Sequence, residues 1–143
     1  LLDCFDHYCE KEKLYGDNAW FNDKSGVRED ANRGIVYWSL PDILIIDLKR
    51  WTMSGNKIRK LVSVPLEGLD LSGHVRGYNK YTYVYNLYGV CNHIGGPNGG
   101  HYTAHVKNAN GQWYLFNDTH VKPIDPLSVV SASSYCLFFR KIK

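Results

Sequence analysis

His101 occupies the position in this sequence best suited to chemistry. It follows the glycines of "GGPNGGHYTAHV" (95–106), and Asn117 and Asp118 come further along the chain. Between them, Asn110-Gly111 separates two strand-like runs, "HYTAHVKN" and "QWYLFND", and that dipeptide is a strong hairpin signal. A hairpin over 101–118 sets His101 at the head of one strand and Asn117 and Asp118 at the tail of the next. Its open end therefore brings an imidazole beside an amide and a carboxylate. A nucleophilic enzyme needs such a pair: the imidazole accepts a proton, and its neighbour fixes the tautomer and the ring plane. The glycines fit this reading, because glycine admits positive φ and lets another chain lie against the backbone. They would serve as a gate over a substrate channel. The hairpin alone leaves open the plainer reading, a glycine-rich turn whose His packs or faces water.

The elements that must position this pair are mostly strands. Residues 1–14 read as an amphipathic helix, with Leu1, Leu2, Phe5, Tyr8 and Cys9 near helical spacing. "YGDN" ends it, and 17–34 read as a loop-and-strand excursion. "IVYWSLP" and "DILIIDLKRW", divided by Pro41, read as strands buried on both faces. "TMSGNKIRK" is a polar loop turning at Gly55-Asn56, "LVSVPL" a further strand, and "EGLDLSGHVRGYN" a connector. "YTYVYNLYGVCNH" (81–93) is the clearest strand, and "SYCLFFRKI" closes the chain as another. A short helix is expected within 126–134. One or two short helices and about six strands, mostly antiparallel and in runs, predict an α+β fold forming a single domain over 1–143.

Composition narrows the function. Of 143 residues, 44% are hydrophobic and 22% charged, as expected of a globular domain with a true core. Eleven tyrosines favour strands and binding surfaces. The net charge of +3 is spread along the chain, so no nucleic-acid partner is expected. No apolar run reaches the roughly 20 residues of a membrane helix, so no membrane partner is expected. Cys4, Cys9, Cys91 and Cys136 form no C-x-x-C pair, and free thiols are expected. The opening "LLDCFDHYCEKEKL" lacks Met and reads as a fragment or as one half of a split domain.

Several ordered motifs carry a resemblance. "YGDNAW" (15–20), "LPDILIIDLKRW" (40–51), "YNLYGVCNHIGGPNGGHYTAHV" (85–106), "WYLFNDTHV" (113–121) and "YCLFFRK" (135–141) resemble the C-terminal half of the ubiquitin-specific proteases over essentially the whole chain. The resemblance implies the palm-like half of a papain-like cysteine protease fold. It implies a deubiquitinating thiol protease that cleaves the isopeptide or peptide bond after the terminal Gly-Gly of ubiquitin. Its partners would be ubiquitin or ubiquitinated proteins, and its location the cytoplasm, the nucleus or both. By position, His101 resembles the general base and Asn117 the third triad member, with Asp118 the fallback orienter. Ile94–Gly100 resembles a mobile loop over the channel for the ubiquitin tail. Gly99 and Gly100 would lie by the narrow passage, and Tyr102 would line it. His93 lies near the channel, as a packing residue or a substrate contact. Asp17 would hold the basic tail. The alternative within the family is an inactive ubiquitin-binding or scaffold domain. Outside it, the alternative is an unrelated β-rich interaction domain.

The departures are as informative. Nothing resembles the family's G-x-x-N-x-G-N-T-C nucleophile box or its oxyanion-stabilising Asn. Each of the four cysteines reads as a small buried hydrophobe, so the chain alone is expected to be inactive. A missing Cys-box lobe would be its partner, and the surface left bare would favour self-association. Where relatives carry a zinc-binding Cys pair, Asn22 and Ser25 stand, so no metal and no cofactor are expected. In "LIIDLKRW", Asp47 and Trp51 replace the usual His and Phe, and Asp47 reads as a hydrogen-bonded structural residue. His7, His74, His105 and His120 read as surface or strand-face residues, and "KIRKL" (57–61) as a solvated loop.

Overall fold

The computed structural model describes residues 1–79 and 82–142. The chain opens with α1 (Leu2–Tyr8), whose Phe5 is buried, while the Leu1 backbone nitrogen donates to the Ser63 carbonyl at 2.9 Å. The helix is half the length the pattern predicts. Glu12–Leu14 form β1 instead, paired antiparallel with β4 (Ala31–Arg33). Between them lies a second small ribbon, β2 (Trp20–Asn22) against β3 (Val27–Glu29). Tertiary pairing overrides a helical spacing that only seven residues satisfy.

The rest of the chain builds one antiparallel sheet, seven-stranded among the described residues. Its strands are β5 (Ile43–Asp47), β6 (Leu69–Asp70), β7 (Val84–Gly96), β8 (Gly99–Lys107), β9 (Trp113–Asn117), β10 (His120–Ile124) and β11 (Ser134–Lys141). They lie in the order β10-β9-β8-β7-β11-β5, with β6 also on β7. The thirteen-residue β7 is the spine, rich in the aromatic and β-branched residues that suit a pleated surface. Register shifts against β11 change which of its residues face inward, so that both Leu87 and Val90 are buried. Tyr85, Leu87, Val90, Leu137 and Phe139 anchor a core closed by Leu69, Leu71, Val75 and α1. The predicted α+β class is present, and the strands predicted at 81–93, 101–108, 112–118 and 134–142 form as β7, β8, β9 and β11 with shifted ends: β7 begins at Val84 and runs on to Gly96, and Tyr81 lies outside the described residues.

Other expectations fail for stated reasons. "IVYWSLP" is not a strand: Tyr37 makes one isolated bridge, to Val75, and Val36 and Trp38 are exposed. β5 is an edge strand with Ile43 and Ile45 exposed, so it is not buried on both faces. "LVSVPL" joins no ladder; the Leu87 N–H reaches only the Leu66 carbonyl. Residues 126–134 contribute only a single 3₁₀ turn, Pro126–Ser128. Apart from β5, these apolar segments lie outside the sheet ladder, and hydrophobicity alone does not distinguish the two outcomes.

Candidate active site

The hairpin of β8 and β9 forms as the Asn110-Gly111 signal requires, with Gly111 at φ 80°. Register runs from Lys107↔Trp113 to Ala104↔Phe116. One rung further places Thr103 opposite Asn117, and His101, two residues on, shares their face. There the His101 Nε2–H donates to the Asn117 Oδ1 at 2.6 Å. This bond leaves Nδ1 as the basic nitrogen of the neutral ring. The His101 side chain is 47% exposed, so Nδ1 is open to a reacting group.

Asp118 holds the second rank. It takes φ 50°, a conformation Asp tolerates, in the tight turn that sets His120 opposite Asn117. Its Oδ2 lies 3.9 Å from Nε2, too long for a hydrogen bond but within ion-pair reach of a protonated ring.

Ile94–Gly100 is not an open loop. β7 and β8 stay paired as far as Gly96↔Gly99, and a two-residue turn at Pro97-Asn98 joins them. The four glycines divide into two kinds. Gly95 has φ 116°, and a Cβ there would lie 2.7 Å from the Gly100 Cα. A Cβ on Gly100 would meet His93 Nε2 and the Ile94 carbonyl oxygen. Gly96 and Gly99 have open space where a Cβ would stand.

His93 is buried, only 6% exposed. Its ring centroid lies 4.7 Å from that of Tyr102, 5.8 Å from Trp51 and 6.0 Å from Tyr135. Lys57 Nζ donates to its Nδ1 at 2.9 Å and to its carbonyl at 2.5 Å. Burial first, and the Lys57 charge second, hold His93 below its usual basicity. The ring is therefore neutral, with its proton on Nε2 facing Gly100. This burial and ring packing support the packing reading of His93. Tyr102 covers it and remains 55% exposed on its outer side.

Lys57 was missed by sequence reading. It is no solvated loop residue: an isolated bridge Trp51↔Lys57 closes the Gly55 turn and swings its side chain onto His93. The available signal was charge. Between Asp47 and Glu67 stand Lys49, Arg50, Lys57, Arg59 and Lys60, with no acid among them.

The remaining predicted residues lie elsewhere. Asp17 sits in an exposed 3₁₀ turn, Gly16–Asn18, outside the main sheet. Asn22 and Ser25 both donate to the Glu29 carboxylate, at 3.1 and 2.5 Å, and so close the β2–β3 turn. This donor set does not suit zinc. Asp47 accepts a long contact from the Cys136 thiol, 3.6 Å away.

No cysteine among the described residues faces His101. Cys91 pairs with Ala104, three rungs from Ile94↔His101, which is roughly 10 Å along the strand and on the opposite face. Burial raises its thiol, and burial with Asp47 pushes Cys136 up to about 11, the reverse of nucleophile activation. Cys4 is exposed rather than buried as expected, and Cys9 caps the same helix.

The family described as ubiquitin carboxyl-terminal hydrolase matches residues 6–139. The chain belongs to that family. It is 39% identical, over its full length, to ubiquitin carboxyl-terminal hydrolase 9 of Arabidopsis thaliana, of which it spans 16%. Against human ubiquitin carboxyl-terminal hydrolase 31 the identity is 34% over 99% of the chain, covering 12% of that protein. Among solved structures, a SAGA DUB module containing Ubp8, Sgf11, Sus1 and Sgf73 aligns with a TM-score of 0.83 at 28% identity. That match covers 99% of this chain and 33% of the other. A SAGA DUB module bound to monoubiquitin aligns with a TM-score of 0.82 at 27% identity, over 100% of this chain and 33% of the other. The expected palm-like fold of a ubiquitin carboxyl-terminal hydrolase is thus present, and the chain spans a minor part of its relatives' length.

Proposed function

We propose that this chain supplies the general base and its orienter to a thiol protease that cleaves after the C-terminal Gly-Gly of ubiquitin. The observation that carries the reading is the 2.6 Å hydrogen bond from His101 Nε2 to Asn117 Oδ1 at the exposed end of the hairpin. With Nε2 committed to Asn117, the Nδ1 lone pair takes the proton of a cysteine thiol supplied from outside these 143 residues. The imidazolium lies within ion-pair reach of Asp118, which favours the thiolate–imidazolium state. The thiolate attacks the carbonyl carbon of the terminal glycine. As the C–N bond breaks, Nδ1–H delivers its proton to the leaving amine. Water then loses a proton to Nδ1, attacks the thioester and releases the thiol.

The narrow tip formed by Gly95 and Gly100, with Tyr102 exposed beside it, suits a substrate without side chains. In this reading Gly99, Gly100, Tyr102 and Asp17 contact the ubiquitin tail, and His93 supports them from behind. The neighbour bound to monoubiquitin supports ubiquitin as the ligand. By itself the chain hydrolyses nothing, because none of its thiols is hydrogen-bonded to His101 and those of Cys91 and Cys136 are pushed away from the thiolate. A second reading follows from that same absence: the fold binds ubiquitin and does no chemistry.

One experiment separates the two. The full-length protein is assayed on a fluorogenic substrate carried by the ubiquitin C-terminus, with His101→Ala alongside. Turnover that His101→Ala abolishes supports the hydrolase, equal turnover in both removes the catalytic role, and binding without turnover in wild type supports the second reading.

A further inference from the structure

Beside His93 lies a cavity of about 90 Å³ lined by Lys57, Arg59, His93, Ile94, Gly95 and Ser133, with Ala132. Its charged lining is cationic, Lys57 and Arg59, and carries no carboxylate. Lys57 has three N–H bonds, and His93 takes two of them. The Arg59 guanidinium and the Ser133 hydroxyl have no hydrogen-bond partner among the described residues. Ser133 gives its carbonyl to the His93 N–H and its own N–H to the Ser131 hydroxyl, so its backbone is committed while its side chain is not. His93 is fixed as a neutral ring and contributes no acceptor to the cavity.

The charge beside this cavity is uncompensated. Among the described residues no carboxylate pairs with Lys57, Arg59 or Arg50. Arg50, 3% exposed, donates to the carbonyls of Ser134, Ile58 and Lys60, and its Nη2 is buried with no partner. Burial depresses the Lys57 ammonium, with Arg59 and Arg50 adding to the effect. Buried or half-buried cations ordinarily lie beside an anion, and between Asp47 and Glu67 the sequence provides none. The volume matches a small group and excludes a nucleotide or a peptide.

We propose that this cavity is an oxyanion site taking a phosphate or a carboxylate group on Lys57 Nζ, the Arg59 guanidinium and the Ser133 hydroxyl. An ammonium, a guanidinium and a hydroxyl on one wall form charge-assisted hydrogen bonds to either group. Occupancy neutralises the cluster that presses on His93 and on Gly95, and so stiffens the strand whose far side carries the Ile94↔His101 rung.

The full-length protein is titrated with inorganic phosphate and, separately, with sodium acetate, at ionic strength fixed with sodium chloride, with binding followed by calorimetry. Wild type is expected to bind at least one of the two saturably. Arg59→Gln, an exposed position whose change leaves folding intact, and Lys57→Met should each weaken binding about ten-fold, the equivalent of one charge-assisted contact. Lys122→Gln, on β10, should match wild type. Tighter phosphate assigns the natural ligand to phosphate chemistry, and tighter acetate assigns it to a carboxylate. Identical affinities in wild type and Arg59→Gln, or heat no greater than that of chloride, overturn the site. Binding is read without turnover, so the outcome is independent of the hydrolytic reading.

Discussion

Two histidines stand one rung apart on the β7–β8 ribbon and do opposite things. His93 lies opposite Tyr102, and His101 lies opposite Ile94. Because side chains alternate across a strand, the two rings leave by opposite faces. His93 is 6% exposed and packed edge-on or tilted among Trp51, Tyr102 and Tyr135. A lysine holds its Nδ1, which removes the one nitrogen that would act as a base. His101 is half exposed, and an amide oxygen holds its Nε2, which leaves Nδ1 free. Identical side chains are thus held in opposite ways, by which ring nitrogen is bound and what covers the ring, and the proposed reaction rests on that difference.

The sharpest way to break this division is to remove each ring in turn in the full-length protein. His101→Gln should lower kcat/KM by about a thousand-fold, within the range of general acid–base contributions, while leaving KM nearly unchanged. Asn117→Ala should lower it by about a hundred-fold, since the base remains but its tautomer is no longer fixed. Asn117→Asp should recover most of that loss, because a carboxylate accepts the same Nε2–H. A substitution at His93 that costs as much turnover as His101→Gln would mean that the two rings are not divided in this way.

The hairpin end was legible from the sequence because its causes are local. Asn110-Gly111 sets a turn, the turn sets the pairing, and the pairing brings Asn117 to the face of His101. The long strands 84–96 and 134–141 were legible for a similar reason, since aromatic and β-branched runs of that length suit little else. What was not legible depends on partners distant in sequence. Glu12–Leu14 is a strand because Ala31–Arg33 lies beside it. "IVYWSLP" is excluded from the sheet because its neighbour, Val75, offers one bridge and no ladder. Lys57 reaches His93 across 36 positions, a contact no local pattern announces. The glycines were read as a single gate because sequence cannot distinguish a glycine that a neighbour requires from one that merely flanks a turn.

That distinction yields a stability test. Gly100→Ala forces a methyl against His93 Nε2 and the Ile94 carbonyl, both held by the ribbon. It should cost about 1–3 kcal/mol, the range for overpacking a well-filled site. Gly99→Ala, one residue away with open space and no positive φ, should lie within about 0.5 kcal/mol of wild type. Chemical denaturation of both variants measures the pair. Equal losses would show that backbone freedom, and not the His93 contact, is why glycine stands at 100.

The smallest effect tests the buried partner alone. Burial, and then the Lys57 charge, hold His93 below its ordinary value of 6.5, so the unfolded chain gains a proton before the folded chain does. The stability owed to the neutral ring is complete above that value and is lost as pH falls below it. The titratable groups facing the ring are Lys57, Tyr102 and Tyr135. Lysine and tyrosine side chains do not ordinarily change charge between pH 5 and 8, so histidine dominates the titration of this neighbourhood in that window. His93→Gln keeps an acceptor for Lys57 but cannot titrate. Its melting temperature should fall below wild type by most near pH 7.5 and by less near pH 5.5, roughly one unit either side of the unperturbed value. A gap that stays constant between those conditions would mean that His93 is as free to protonate in the fold as in the unfolded chain. The contrast with His101 would then rest on exposure alone.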